Sequence, residues 1–181
     1  MAFIVEREFE HVGYKCVVIF GDTGYRCGYV GVPKEHPLYG KNYSDHLNID
    51  KEELDGMELG KRGVMSLMAY ACNDSDNVPL EIYFDVHGSL TYAGGQNSKY
   101  PIESDLWWFG FDCIHAGDGK DLGLAYKVFP ESRKSIAVSM EAERKFPILG
   151  GEVRTCEYVE NECKRLAEQL KEFETIDYER Y

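Results

Sequence analysis

The sequence predicts an α+β fold, an antiparallel β-sheet with a long C-terminal amphipathic helix packed on one face. Three observations predict it. Runs of β-branched and aromatic residues fill the N-terminal third, strand-like patterns return at about 80–93 and 105–113, and one apolar stripe follows residues 153–173. The 181 residues match one ordinary domain, which can bury a core without disulfides or a structural metal. We therefore expect a single domain over residues 1–181.

The N-terminal third is predicted to be a β-meander. Residues 3–10 and 14–20 are rich in strand-forming types, and Gly-Asp-Thr-Gly at 21–24 has the turn chemistry of a hairpin into residues 25–32. Residues 36–45 then carry the Pro, Gly and Asn that are typical of an irregular loop. We expect that loop on the surface.

A helical insertion is predicted at about residues 44–79. Apolar residues three and four apart indicate one helix within it, at about 61–72. Three glycines interrupt the pattern just before and at the start of this helix, so its beginning is less well defined than its end.

Two further strands are expected at residues 79–92 and 105–112. The first alternates apolar and polar side chains, the second is aromatic, and the glycines at 94–98 supply a loop between them. An antiparallel pair centred on that loop would place Asp85 opposite Asp112.

The C-terminal third is predicted to be helical. Residues 133–145 have a weak helical pattern, and residues 153–173 have the strongest one in the chain. Its apolar positions fall on one stripe, which should pack on the sheet: Val153, Cys156, Val159, Cys163, Leu166, Leu170 and Phe173.

Charge and cysteine content exclude several classes of function. Twenty Lys and Arg against 32 Asp and Glu give a formal net charge of −12, which opposes binding of nucleic acid over a large phosphate surface. The six cysteines contain no CxxC pair, the opening residues are too charged for a signal peptide, and no apolar run approaches the ~20 residues of a membrane span. We expect a reduced, cytoplasmic protein without a membrane partner.

Polar side chains that could hold a metal are concentrated in two short segments. Alternation sends Asp85 and His87 to one face of their strand, and Asp112, His115 and Asp118 follow the aromatic strand. Carboxylate and imidazole ligands suit Mn, Mg, Zn or Fe, and a hydrolase needs such an ion to activate water. The sequence therefore predicts one corner that gathers these five residues around a divalent metal.

Two alternatives remain open for these residues. Asp112 could cap its loop and His115 could be a hydrogen-bonded structural ring, because Asp and His are frequent in turns. The second alternative is that these residues form a ligand-binding corner without a metal. Both the metal site and the ligand corner depend on the strand register, because a slip of one residue would send the groups to opposite faces of the sheet.

The aromatic content of 13% predicts a ligand pocket. Trp108 or Tyr92 would form its wall, with Thr91 beside them, Tyr39 at its mouth and Arg26 placed to contact a phosphate. The alternative for any single ring is an ordinary place in the core. Because interfaces are enriched in aromatic residues, the same surplus predicts a homo-oligomer.

Four strings of residues carry a resemblance to a known family. They are GYVGVP at 28–33, HPLYG at 36–40, DVHGSLTY at 85–92 and WFGFDCIHAGD at 108–118. They resemble an uncharacterised family found in phages, prophages and bacteria, and the C-terminal helix is similar as well. The chain departs from the family at Ser89, where the family usually has a second glycine.

The resemblance implies a shared site and a phage setting. The site would be formed by His87 and residues 112–118, and the compartment would be the host cytoplasm. The acidic, aromatic-rich composition and the implied phage setting together favour an anti-defence role. In this role the protein would act as a sponge, which binds and sequesters a small nucleotide-type immune signal. The alternatives are a metal-dependent hydrolase of a small phosphate or nucleotide compound and a protein-interaction module.

Overall fold

The computed structural model of the chain describes residues 2–48, 77–95, 99–146 and 150–174. Within these ranges the strands are β1 (Phe3–His11), β2 (Tyr14–Gly21), β3 (Arg26–Val32), β4 (His46–Asn48), β5 (Asn77–Pro79), β6 (Tyr92–Gly95), β7 (Trp107–Asp112), β8 (Asp118–Gly119) and β9 (Glu152–Val153). The helices are α1 (Leu80–Tyr83), α2 (Leu122–Val128), α3 (Arg133–Lys145) and α4 (Cys156–Phe173), with a 3₁₀ turn at Pro130–Ser132.

The main sheet has five antiparallel strands in the order β1-β2-β3-β7-β6. Val12 and Gly13 join β1 to β2 with positive φ angles of 46° and 88°, the backbone of a tight hairpin turn. The Gly21–Gly24 turn then leads into β3 and is closed by a hydrogen bond from Gly24 N–H to the Gly21 carbonyl. The predicted α+β fold with an antiparallel sheet is confirmed.

Helix α4 packs on one face of this sheet, as predicted. Its residues Val159, Cys163, Leu166 and Leu170 are completely buried, among side chains of β2, β3 and β7. The helix begins at Cys156, three residues later than the stripe suggested, because residues 152–153 form β9 and Thr155 caps the helix by accepting a hydrogen bond from Tyr158 N–H.

The opposite face of the sheet has its own core. Val17, Ile19, Tyr29 and Trp108 are buried there, and Tyr100, Ile102 and Leu106 of the segment before β7 pack over them. Helices α2 and α3 lie at one end of the sheet face that α4 covers. There Leu122, Phe129 and Ile136 enclose Phe20. The sheet is therefore covered on both faces.

The predicted strand at 79–92 is wrong. Its first residues form α1, the next are irregular, and only β6 pairs with the sheet. Side chains of α4 bind the backbone in place of a neighbouring strand: Asp85 N–H donates to Gln169 and His87 N–H donates to Glu162. The alternation of apolar residues was misleading here, because consecutive residues of this segment, Phe84, Asp85 and Val86, are all buried.

The predicted pairing of Asp85 with Asp112 is wrong for the same reason. In the β6–β7 hairpin, Tyr92 faces Gly110 and Gly95 faces Trp107, and Asp112 pairs with Cys27 of β3. The two glycines at 94–95, expected in the loop, belong to β6, and residues 96–98 lie outside the described ranges.

Two other expectations concern residues 36–79. The loop at 36–45 is irregular as predicted, but His36 and Leu38 are buried rather than on the surface. The predicted helix at about 61–72 lies outside the described residues, whereas both ends of the predicted insertion are described and pair with each other as β4 and β5. Among the helices described, none has the length and apolar character needed to cross a membrane.

Candidate functional site

Three of the five predicted metal ligands lie together at one corner of the sheet. One nitrogen each of His87 and His115 and one carboxylate oxygen of Asp118 lie within 4.8 Å of one another. We call these three residues the His-His-Asp cluster. The cluster could hold a metal ion, since imidazole nitrogen and carboxylate oxygen are common ligands of divalent ions.

Local backbone contacts bring His115 and Asp118 together in the loop after β7. Asp118 N–H donates to the His115 carbonyl at 3.0 Å, and His115 N–H donates to Asp118 Oδ2 at 3.0 Å. Gly117 permits this turn with a φ of 95°. The turn folds the two side chains onto the same side of the loop.

The loop after β7 is also held by a short strand pairing at its C-terminal end. Strand β8 pairs in parallel with β9, so that Asp118 lies opposite Glu152. A Cβ atom at Gly119 or Gly151 would collide with backbone of the facing segment, so both positions need glycine for this close approach. The pairing brings residue 154, which follows β9, next to Asp118.

Four side chains form a hydrogen-bonded chain through the cluster. Tyr158 Oη lies 3.0 Å from His87 Nδ1, and His87 Nε2 lies 2.8 Å from Asp118 Oδ2. Arg154 Nε donates to the other oxygen, Asp118 Oδ1, at 2.8 Å. If His87 coordinates an ion through Nε2, its Nδ1–H is left to donate to Tyr158, and partners of this kind orient metal-bound histidines.

The surroundings of Asp118 favour its ionised form. Burial alone would raise the pKa of this carboxyl, but hydrogen bonds from Arg154, His87 and the His115 backbone outweigh burial and hold the pKa below its usual value. Asp118 therefore stays a carboxylate, the form that a metal requires, even at mildly acidic pH.

The ring of His115 faces two carboxylates. Its Nδ1 is buried and has no hydrogen bond among the described residues, but it lies 3.6 Å from Asp118 Oδ2 and 4.0 Å from Asp112 Oδ1. Two ligands of a tetrahedral ion, each about 2.0–2.1 Å from it, lie roughly 3.3 Å apart. The separation of His115 Nδ1 from Asp118 Oδ2 is close to that value, whereas the separation from Asp112 Oδ1 is longer.

Helix α4 holds the segment that carries His87. Glu162 is buried and accepts the His87 N–H at 2.9 Å, while the Gln169 amide binds both the N–H and the carbonyl of Asp85 at 2.8 Å. Arg165 joins Glu162 to the Asp85 carboxylate. His87 is thus placed by the helix and not by a strand.

The prediction that Asp85 belongs to the metal corner is wrong. Its carboxylate is turned toward α4, where Arg165 donates to it at 2.5 Å. Asp85 and His87 were expected on one face because they are two residues apart in a strand, and this segment is not a strand.

Asp112 and Thr91 lie at the border of the cluster. Asp112 Oδ2 accepts from Thr91 Oγ1 at 2.8 Å, and Oδ1 accepts from Ile114 N–H at 3.0 Å. Asp112 caps its loop, as the structural alternative proposed, and its Oδ1 still lies 4.0 Å from His115 Nδ1. It could act as a further ligand or as a base beside the cluster.

Arg26 is not available for a phosphate. It is 5% exposed, and its guanidinium donates twice to Glu6, at 2.6 and 2.9 Å, and once each to Asp121 and the Arg154 carbonyl. These contacts use the planar fork that a phosphate would need. The predicted role for Arg26 is therefore wrong.

The predicted aromatic wall is on the other side of the sheet. Trp108 is buried and donates its indole N–H to Ser104, and Tyr92 packs edge-on against Tyr29. Tyr39 lies with Trp107 near the segment before β7 and donates to the Asp105 carbonyl. Trp108 and Tyr92 do not line the His-His-Asp cluster, because they lie on the sheet face opposite to Phe109 and α4. Tyr39 packs on Trp107 at the start of β7, whereas the cluster lies beyond Asp112 at its end.

Sequence reasoning missed Arg154 and Tyr158. Tyr158 is within one turn of the start of α4, and Arg154 lies between β9 and that helix. Their guanidinium and ring stack at 5.0 Å. A polar residue on the apolar side of an amphipathic helix, here Glu162, was the one local signal that this helix end faces a polar site.

Cys113 lies next to the cluster but is a buried core residue. Burial raises the pKa of its thiol, with smaller contributions from Asp118, Cys27 and Asp112. A thiol held protonated in this way is a poor nucleophile.

Comparison of the chain with family models, with curated proteins and with solved structures finds no match. The resemblance to the phage and bacterial family stays a prediction that depends on the sequence strings alone.

Proposed function

We propose that this protein is a metal-dependent hydrolase of a small phosphate or nucleotide compound. The observation that carries the proposal is the convergence of His87, His115 and Asp118 within 4.8 Å. Structural zinc sites in proteins are closed by four side chains, whereas catalytic sites have three protein ligands and keep a position open for water or substrate. Three ligands favour the catalytic class.

A bound divalent ion would supply activation of water and polarisation of a phosphoryl oxygen. In the proposed reaction a P–O bond forms to the oxygen of water and the P–O bond to the leaving group breaks. One water proton goes to the leaving oxygen and the other remains on the phosphate product or is released. The products are an alcohol or nucleoside and inorganic phosphate.

The side chains around the cluster have distinct parts in this proposal. Arg154 and Tyr158 orient Asp118 and His87 from outside the ligand set, as second partners of metal ligands do. Asp112 is 28% exposed and lies beside His115, so it is the carboxylate placed to accept the proton of the attacking water.

Sequestration of a nucleotide-type signal is the second candidate. One observation favours it: both oxygens of Asp112 already accept hydrogen bonds, from Thr91 and Ile114, so fewer of its lone pairs are left to accept the proton of a water. The same metal would then hold a phosphate without cleaving it. The phage setting, the anti-defence role and a homo-oligomeric state belong to this candidate and stay predictions.

The first experiment measures the metal. The full-length protein is incubated with Zn²⁺, Mn²⁺ or Mg²⁺, desalted and analysed for bound metal, with wild type, His115→Ala and the control His11→Ala compared. His11 lies on β1 and pairs with Glu168, away from the cluster. We expect about one ion per chain in wild type and the control and little in His115→Ala; equal binding by all three proteins would contradict the proposed site.

The second experiment separates cleavage from sequestration. The metal-loaded protein is mixed with a panel of nucleotides and phosphate monoesters, heated to release the ligand, and the supernatant is examined by ³¹P NMR. Inorganic phosphate released by wild type but not by His115→Ala supports hydrolysis. A nucleotide that raises the melting temperature and is recovered intact supports sequestration and overturns the hydrolase.

A further inference from the structure

Arg154 is held beside the His-His-Asp cluster by two nitrogens of its guanidinium. Nε donates to Asp118 Oδ1 and Nη1 donates to Glu152, each at 2.8 Å. The guanidinium carbon lies over the Tyr158 ring, 5.0 Å from its centre, in a cation–π contact that helps to hold the group in place. The side chain remains 22% exposed.

Within the described part of the chain, this guanidinium has donors left over at Nη2 and at the second N–H of Nη1. A guanidinium has five N–H groups, and the two contacts named above use two of them. Among the described residues, no hydrogen bond is formed by Nη2 of Arg154. The guanidinium of Arg154 is planar, is oriented by its contacts, is partly exposed and has unused donors. It is therefore suited to bind an oxyanion through two hydrogen bonds.

Asp118 connects this arginine to the cluster. One of its oxygens accepts from Arg154, and the other faces His87 and His115. An ion at the cluster and the guanidinium of Arg154 therefore bind the same carboxylate from two sides. A ligand held by the ion would lie within reach of the arginine.

The charges at the cluster make anion binding depend on the metal. Asp112 and Asp118 contribute two negative charges and Arg154 one positive charge, while Glu152 is 75% exposed and its charge is screened by water. The net charge of these groups is negative without a divalent ion, and the ion adds two positive charges. An anion is therefore repelled more strongly without the ion than with it.

The number of non-bridging oxygens determines which class of phosphate ligand can make both contacts. Bidentate binding by Arg154 takes two oxygens of the ligand, and coordination of the ion takes a third. A terminal phosphate has three non-bridging oxygens, whereas a phosphodiester has two.

We propose that Arg154 anchors a terminal phosphate group of the ligand, together with a divalent ion at the His-His-Asp cluster. The inference rests on the proposed metal-dependent function and narrows its ligands to phosphate monoesters and nucleotides with a terminal phosphate. It assigns to Arg154 the role that the sequence had suggested for Arg26.

The test measures phosphate affinity on protein saturated with Zn²⁺, by isothermal titration calorimetry, with inorganic phosphate and dimethyl phosphate as probes. The variants are Arg154→Gln, Arg154→Lys and the control Arg144→Gln, whose arginine pairs with Glu141 on the surface of α3. We expect Arg154→Gln to bind inorganic phosphate about 10- to 100-fold more weakly than wild type, Arg154→Lys to be intermediate and the control to be unchanged. Dimethyl phosphate should bind at least about tenfold more weakly than inorganic phosphate to wild type.

Each other outcome has a definite meaning. Equal phosphate affinity in zinc-saturated wild type and Arg154→Gln would overturn the role of Arg154 and leave the metal site standing. Equal affinity for the two probes would overturn the preference for a terminal phosphate. Failure of wild type to bind any divalent ion would overturn the proposed function and this inference with it. If Arg154→Gln does not fold, as judged by circular dichroism, Arg154→Lys decides the question alone.

Discussion

Gly88 lies directly against the ring of His115. A Cβ atom at position 88 would lie 2.5 Å from Nδ1 of that ring and closer still to Cε1 and Nε2. The φ of Gly88 is 70°, a value that side chains other than glycine rarely adopt. Contact between the irregular segment before β6 and the loop after β7 therefore depends on the absence of a side chain at this position.

Replacement of Gly88 by Ala should weaken metal binding. The added methyl group cannot coexist with the ring, so His115 must move away from Asp118, and we expect affinity for Zn²⁺ to fall at least about tenfold. Isothermal titration with Zn²⁺ measures it. Gly40→Ala is the matched control, because Gly40 has a φ of 84° with no atom within 4 Å of its Cβ position. Equal losses in both variants would show that backbone strain, not the His115 contact, is responsible.

Ser89 is strained and its replacement by glycine should stabilise the fold. Its φ is 98°, which is unfavourable for any residue with a Cβ atom. We expect Ser89→Gly to raise the free energy of unfolding by about 1 kcal/mol, measured by urea denaturation. Ser89→Ala keeps the Cβ atom and should bring no such gain.

Leu166 anchors α4 on the sheet. It is completely buried among residues of the main core, so Leu166→Ala removes three heavy atoms from a closely packed site. We expect the free energy of unfolding to fall by ~2–5 kcal/mol. Val138 on α3 is 71% exposed, and Val138→Ala should change the free energy of unfolding by less than about 0.5 kcal/mol. Similar small losses in both variants would contradict the placement of α4.

Those parts of the fold that depend on local signals could be predicted from the sequence. The meander was recognised because its turn residues lie next to its strands, and α4 because its apolar stripe has helical spacing. The segment at 79–92 could not be recognised, since Glu162 and Gln169, more than 70 positions away, bind its backbone. The segment buries the consecutive residues Phe84, Asp85 and Val86, so the apolar alternation of the sequence does not describe its burial.

Within the candidate site, too, local features could be predicted from the sequence and features that depend on distant residues could not. His115 and Asp118 were recognised because they are three positions apart with Gly117 between them, which produces a turn that is local in sequence. Arg154 was not, because it approaches Asp118 through the pairing of β8 with β9, two strands of two residues each. Arg26 was favoured in its place, and neither its burial nor its pairing with Glu6 has a sequence signature.

The stability of the fold should depend on the protonation of His36. This ring is buried between Tyr14 and Phe173, where Nδ1 accepts from Leu38 N–H at 3.1 Å and Nε2–H donates to the Leu170 carbonyl at 3.0 Å. Both bonds are made by the neutral ring. Burial lowers the pKa of His36, and this outweighs the opposite effects of the Leu170 carbonyl and Glu174, while Lys171 lowers it further.

The sign of the pH dependence follows from that shift. As the pH falls through about 6.5, the unfolded chain takes up a proton at His36 and the folded protein does not, so stability decreases until the lower pKa of the folded state is reached. Urea denaturation of wild type and His36→Gln at about pH 7.5, 6.5 and 5.5 measures this, because the remaining groups titrate in both proteins. We expect wild type to be the more stable at the highest pH and its advantage to shrink as the pH falls. An advantage that stays constant or grows on acidification would contradict a neutral, buried His36.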